Sequence, residues 1–183
     1  MFSDSLLGCY GDGGAVFTNN NEYAEKMKML RLHGQNKRYH HKYIGIQGRL
    51  DTLQAAVLLA KLPYYPIEIE ARNRVANAYT EQLSNTVKTP IVKADRTSVW
   101  AQYTVLVENR DELQTKLKEQ GIPTAVHYPI PLHRQECFQY LNFAENTYPV
   151  AEHTANKVVS LPMNPFLTDE EIDYTSNLLK ESI

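Results

Sequence analysis

The stretch Tyr43–Leu62, YIGIQGRLDTLQAAVLLAKL, constrains the fold more than any other part of the chain. Gly45 and Gly48 interrupt the backbone just before a run of helical period. Asp51 and Gln54 stand at the spacing of an N-cap and its capping-box partner. Leu53, Val57 and Leu58 then form one apolar stripe, widened by Ala55, Ala56 and Leu59, and such a stripe must be covered by another surface. Arg49 lies just outside the helix start. A guanidinium beside free backbone N–H groups suits an anion. A buried helix with an incidental surface arginine accounts for the same residues.

Around this helix the chain predicts mixed α and β structure. Residues 1–14, MFSDSLLGCYGDGG, trace a tight, glycine-rich path with no preceding element, as in a chain that begins inside something larger. Gly14–Thr18 has β character, and Glu22–Leu32 reads as a helix followed by a polar loop over 33–42. Pro66 can open a helix of about 20 residues, with Glu70 and Arg74 paired at i,i+4. A domain boundary is expected near 63–70. Beyond it, Val87–Val92, Ser98–Glu108 and Thr124–Tyr128 read as strands. Asn109 with Glu112 and Thr168 with Glu171 mark helix starts, and Gly121 a stop. Pro149 opens a helix reaching Val158, and Ser160–Pro165 forms a strand end and turn. A small antiparallel sheet with helices on one face accommodates this order.

The formal charge is −2, so no bulk field recruits nucleic acid. No apolar run reaches the length of a membrane span. Two cysteines, Cys9 and Cys137, give neither a disulfide framework nor a metal spacing, and a cytoplasmic protein is expected. Locally the balance differs. From Lys26 to Lys42 there are six Lys or Arg and no acid, with His33, His40 and His41 among them. A discrete phosphate or carboxylate fits that run, and so does a solvated basic face. The histidines lack the partners of a metal site, so no metal is expected. A second candidate is His127-Tyr128-Pro129-Ile130-Pro131-Leu132-His133, where prolines stiffen a loop carrying two imidazoles and a phenol. Such groups donate to sugar hydroxyls, phosphate or carboxylate; a purely structural loop is the other reading.

Four motifs occur here in order: LGCYGDGGAVFTNN, RLHGQNKRYHHKYIGIQGRLDTLQAAVLLAKL, GIPTAVHYPIPLHRQ and LPMNPFLTDEEI. Together they resemble the later half of the DegT/DnrJ/EryC1/StrS sugar-nucleotide aminotransferases, and within these the enzymes aminating C3 of a UDP-linked 2-acetamido-3-oxo-glucuronate. The resemblance implies an α/β chain of fold type I. Residues 1–66 would be a helical remnant of the large, pyridoxal-phosphate (PLP) binding domain, and 67–183 the small α+β domain. It implies amino transfer from glutamate to a keto-sugar nucleotide through PLP, in a homodimer with sites at the interface.

Matched by position, the family's Schiff-base lysine falls on Ser5, and a hydroxyl cannot form an imine. The family's Asn–x–Arg pair falls on Gln47 and Arg49, which implies contact with the cofactor phosphate. His33 and His41 match its basic loop, and His127 and Tyr128 its sugar-facing segment, with His133 close by. No PLP is expected to bind covalently, and no transamination is expected from these residues alone. The expected partners are a second copy through residues 14–62 and, weakly, a UDP-sugar. The rival expectations are a non-enzymatic module that pairs with an intact homologue, and a remnant with no function of its own.

Overall fold

A computed structural model describes residues 7–183; Ser5 lies outside the described residues. The chain divides into two compact units, Met1–Tyr65 and Pro66–Ile183.

In the first unit, helix α1 spans Asn21–Leu30. Asn20 caps it by accepting from the backbone N–H of Glu22 at 2.9 Å and of Tyr23 at 3.2 Å. The polar loop that follows contains a short antiparallel pair, β1 (Gln35–Lys37) and β2 (His40–His41). The chain then runs back along the end of α1. Ile46 N–H donates to Leu30 O at 2.9 Å, His33 N–H to Ile46 O at 2.9 Å, and Gly48 N–H to Arg31 O at 2.9 Å. Two glycines permit that approach. Gly34 has φ +75°, and a Cβ there would sit 1.8 Å from Tyr43 O; a Cβ on Gly45 would sit 2.2 Å from Gly34 N.

Helix α2, Thr52–Lys61, follows with Asp51 at its N-cap, but Asp51 makes no side-chain cap bond. The expected capping box is absent: the Gln54 Oε1 is buried without a partner, and its amide packs beside Gly11. Gly14–Thr18 forms no strand, since no neighbouring chain supplies a ladder and Phe17 is 92% exposed. Among the described residues of this unit, Gly34 alone is buried, and neither α1 nor α2 buries a side chain.

The second unit has the order α3 (Tyr65–Leu83), β3 (Tyr103–Leu106), α4 (Arg110–Glu119), α5 (Pro149–Ala155), β4 (Val158–Leu161) and α6 (Asp169–Ser182). It is a small mixed α/β domain. β3 and β4 pair antiparallel, with Tyr103 opposite Leu161 and Leu106 opposite Val158. The inward residues of this ladder, Tyr103, Val105, Val159 and Leu161, meet Val75, Tyr79 and Leu83 of α3, Leu113 and Leu117 of α4, and Ile172 and Leu179 of α6. Tyr79 is fully buried and donates to Pro162 O at 3.1 Å; burial pushes its phenol up to about 12.

Several local expectations yield here to tertiary partners. Ser98–Glu108 is strand only over Tyr103–Leu106, because the chain turns at Trp100 (φ +50°), whose indole N–H donates to Asn73 Oδ1 at 3.0 Å. Val87–Val92 and Thr124–Tyr128 reduce to single bridges, Lys88 to Leu106 and Ala125 to Ser160. Arg74 bonds Asp169 and Leu167 O rather than Glu70. Asn109 makes no side-chain cap, and Glu112 pairs with Lys116 at 2.9 Å. The α5 helix stops at Ala155, and Val158 belongs to β4. Gly121 ends α4 at φ +80°, and Thr168 with Glu171 forms a complete capping box on α6.

Candidate functional site

Each unit brings together one group of the expected site residues. In the first, the return of residues 44–48 along the end of α1 sets Gln47 opposite Leu32. With its amide oxygen turned toward Arg49, Gln47 accepts from Arg49 Nη2 at 2.6 Å and Nε at 3.0 Å, while its amide nitrogen lies 3.0 Å from His33 Nε2. His41 Nδ1 lies 2.9 Å from His33 O. Gln47, Arg49, His33 and His41 therefore form one exposed cluster. His33 sits at φ +60°, a left-handed position that turns the chain into the basic loop. Lys26 and Lys42 flank the Tyr43 ring, 5.4 and 5.5 Å from its centre. In that orientation the Gln47 amide oxygen is spent on Arg49. Nη1 of Arg49 makes no hydrogen bond among the described residues.

In the second unit, His127, Tyr128 and His133 all line a cavity of about 1200 Å³. Its walls are mostly apolar, among them Ile130, Leu132, Phe143 and Val150. Tyr128 is 71% exposed at its rim and meets the His127 ring edge-on at 5.5 Å. His127 Nδ1 lies 2.9 Å from Ser160 Oγ. His133 is packed edge-on against Phe143 and Tyr148, and its Nε2 lies 2.8 Å from Glu152 Oε1. Arg134 donates to that same oxygen through Nη2 at 3.0 Å and Nε at 3.2 Å. The His133 hydrogen bond, opposed by partial burial and aided by Arg134, holds the Glu152 carboxyl below the usual carboxylate range. One edge of His133 is thereby committed to holding α5 against the loop.

Three partners in these clusters were not expected: Ser160, which anchors His127; Thr104 beside it at 2.8 Å; and Glu152, which anchors His133. Ser160 is 33 residues from its histidine and Glu152 is 19, so no local signal marks either. Among the described residues, no group of three His, Cys, Asp or Glu side chains could hold a metal ion, and no helix is long and apolar enough to cross a membrane.

The profile of the DegT/DnrJ/EryC1/StrS aminotransferase family matches residues 2–180. The chain is similar to the UDP-2-acetamido-2-deoxy-3-oxo-D-glucuronate aminotransferase of Pseudomonas aeruginosa, 46% identical over 173 residues, which cover 94% of this chain and 47% of that protein. It superimposes on a DegT/DnrJ/EryC1/StrS aminotransferase from Brucella abortus with TM-score 0.92 and 41% identity, covering 97% of this chain and 48% of the other. A third likeness is to ntda from Bacillus subtilis with bound cofactor PMP, with TM-score 0.86, 28% identity, and coverage of 98% and 43%. The chain spans about half the length of the relatives it matches. Residues 2–180 carry the family's sequence, and the units carry its fold; the chain belongs to the DegT/DnrJ/EryC1/StrS aminotransferase family.

Proposed function

We propose that these 183 residues are the later part of a PLP-dependent sugar-nucleotide aminotransferase, with Ser5 at the family's lysine position. They supply an anion clamp at Gln47 and Arg49, with His33 and His41 beside it. They also supply a sugar-facing segment at His127, Tyr128 and His133. The parent reaction moves an amino group from glutamate to a UDP-linked keto-sugar, and these residues alone do not perform it. Residues 1–66 belong to the large domain in this reading and 67–183 to the small one, in a cytoplasmic enzyme. The observation that carries the reading is the exposed Gln47–Arg49–His33 cluster, a guanidinium held beside the basic run Lys26–Lys42. The substrate class follows from the Pseudomonas relative, which is named for a UDP-linked 3-oxo-glucuronate.

The cofactor fits these residues on one side only. Arg49 and Gln47 would hold its phosphate. No residue in the matching position forms its imine, since Ser5 stands there and the first lysine of the chain is Lys26. PLP, when bound, supplies an electron sink. What these residues do is neutralise phosphate and orient the sugar. The test is an NMR titration with a UDP-linked uronic acid. Binding in the millimolar range, about −4 kcal/mol, is expected, with shifts near Arg49 and Tyr128. An equal response to simple salt, or shifts confined to α6, would end the proposal.

A second reading concerns assembly. Ile44 is fully exposed and Leu53 and Leu59 are about 70% exposed, in a unit whose described residues bury Gly34 alone. This supports association through residues 14–62 with a second copy or an intact homologue, to which Gln47 and Arg49 would be lent. Co-purification with an intact family member is expected. If R49A and Q47A leave the cofactor affinity of that complex unchanged, the lending role fails.

A further inference from the structure

Beneath His127, β4 and β3 carry a line of polar groups that the family comparison does not assign. Ser160 is opposite Thr104 of β3 on one side and bridges Ala125 on the other. Its backbone bonds go to Ala125: Ser160 N–H donates to Ala125 O at 2.8 Å and Ala125 N–H to Ser160 O at 3.2 Å. Toward β3, Ser160 and Thr104 are therefore a pair without mutual backbone bonds, the kind in which side chains approach most closely. Their hydroxyl oxygens lie 2.8 Å apart. His127, two residues beyond Ala125, falls on the same face, and its Nδ1 is 2.9 Å from Ser160 Oγ. Ser160 is 4% exposed, so water does not compete for this hydroxyl.

We propose that Thr104 and Ser160 are positioning residues that fix the tautomer of His127, so that its Nε2 carries the proton and serves as a hydrogen-bond donor toward the cavity. Each hydroxyl has one proton to give. An imidazole lone pair is far more basic than an alcohol oxygen, so the strongest arrangement ends on it. Thr104 then donates to Ser160, and Ser160 donates to Nδ1. The neutral ring must carry its proton on the other nitrogen. Nε2 makes no hydrogen bond among the described residues, and His127 lines the cavity. The ligand atom it meets must be an acceptor: a carbonyl, hydroxyl or phosphate oxygen. That last step rests on the sugar-facing reading above; the hydrogen-bond line does not.

The test is long-range 1H–15N correlation on the full chain labelled at histidine, at mildly alkaline pH. In the wild type the His127 resonances should show Nδ1 unprotonated and Nε2 protonated, with an excess on the order of tenfold over the other tautomer. Ser160→Ala should collapse that excess toward the mixture of a free imidazole. Ser160→Thr, which keeps the hydroxyl, should restore it, and Thr104→Val should reduce it less than S160A does. A wild-type ring with the proton on Nδ1, or S160A spectra with an unchanged tautomer ratio, would overturn the proposal. Should S160A not fold, Thr104→Val decides: a tautomer ratio unchanged from wild type would overturn the proposal. Adding UDP-glucuronate gives a separate readout. If Nε2 does not respond while the tautomer is as stated, the sugar-facing reading fails and the positioning roles stand.

Discussion

Replacing Leu117 by alanine measures the contrast between the two units. Leu117 is fully buried in the last turn of α4, inside the core that α3, α6 and the β3–β4 ladder share. Alanine is the best helix former, so the change removes packing without harming the helix. A fully buried leucine in such a core costs about 3 kcal/mol on truncation, within the usual range of about 2–5. The second unit has roughly 120 residues, and unfolding entropy near the midpoint is about 2.1 cal/mol/K per residue, or roughly 250 cal/mol/K. The expected fall in Tm is therefore about 12 °C. Leu53→Ala in α2 is the control. Leu53 is 69% exposed, so the same chemical change should cost less than about 0.5 kcal/mol in the unassociated chain. Scanning calorimetry with circular dichroism reads both. A Tm drop of only a few degrees for L117A, or an equal drop for L53A, would refute the assignment of stability to the second unit's core.

Other perturbations have equally definite outcomes. Gly45→Ala would place a Cβ 2.2 Å from Gly34 N, so the return of residues 44–48 along α1 cannot close; hydrogen exchange should show loss of protection at the Ile46 and Gly48 amides. Thr168→Ala removes a complete capping box and should cost about 1 kcal/mol by denaturant titration, while Thr168→Ser should cost little. The Glu152 carboxyl is depressed by His133 and then Arg134, so its stabilising effect is full above the unfolded value of about 4.3 and is lost as pH falls through the lower folded value. Glu152→Gln should flatten that acid limb in a pH series of Tm values.

How legible each feature was depends on how far away its partner sits. The α6 start was readable because Thr168 and Glu171 satisfy each other within one turn, and Gly121 because a positive φ is a local demand. The Asn20 cap of α1 is an equally local contact. The strand over 98–108 was overread because β propensity says nothing of partner length, and the β4 partner spans four residues. Glu70 lost Arg74 to a carbonyl and a carboxylate more than ninety positions away. In the site, the residue types at Gln47, Arg49, His127 and Tyr128 were visible through motif resemblance, and the basic run through charge alone. That His133 spends an edge on Glu152, and His127 on Ser160, depends on folding together segments 19 and 33 residues apart.

The most direct test of the account mixes the purified 183-residue chain with PLP and glutamate, traps any imine with borohydride, and follows amino transfer to a UDP-linked keto-sugar. No stoichiometric reducible adduct and no glutamate-dependent turnover are expected, for wild type and for Ser5→Lys alike, because the proposed cofactor contacts, Gln47 and Arg49, would hold its phosphate only. A stoichiometric adduct at one lysine, accompanied by turnover, would contradict that expectation.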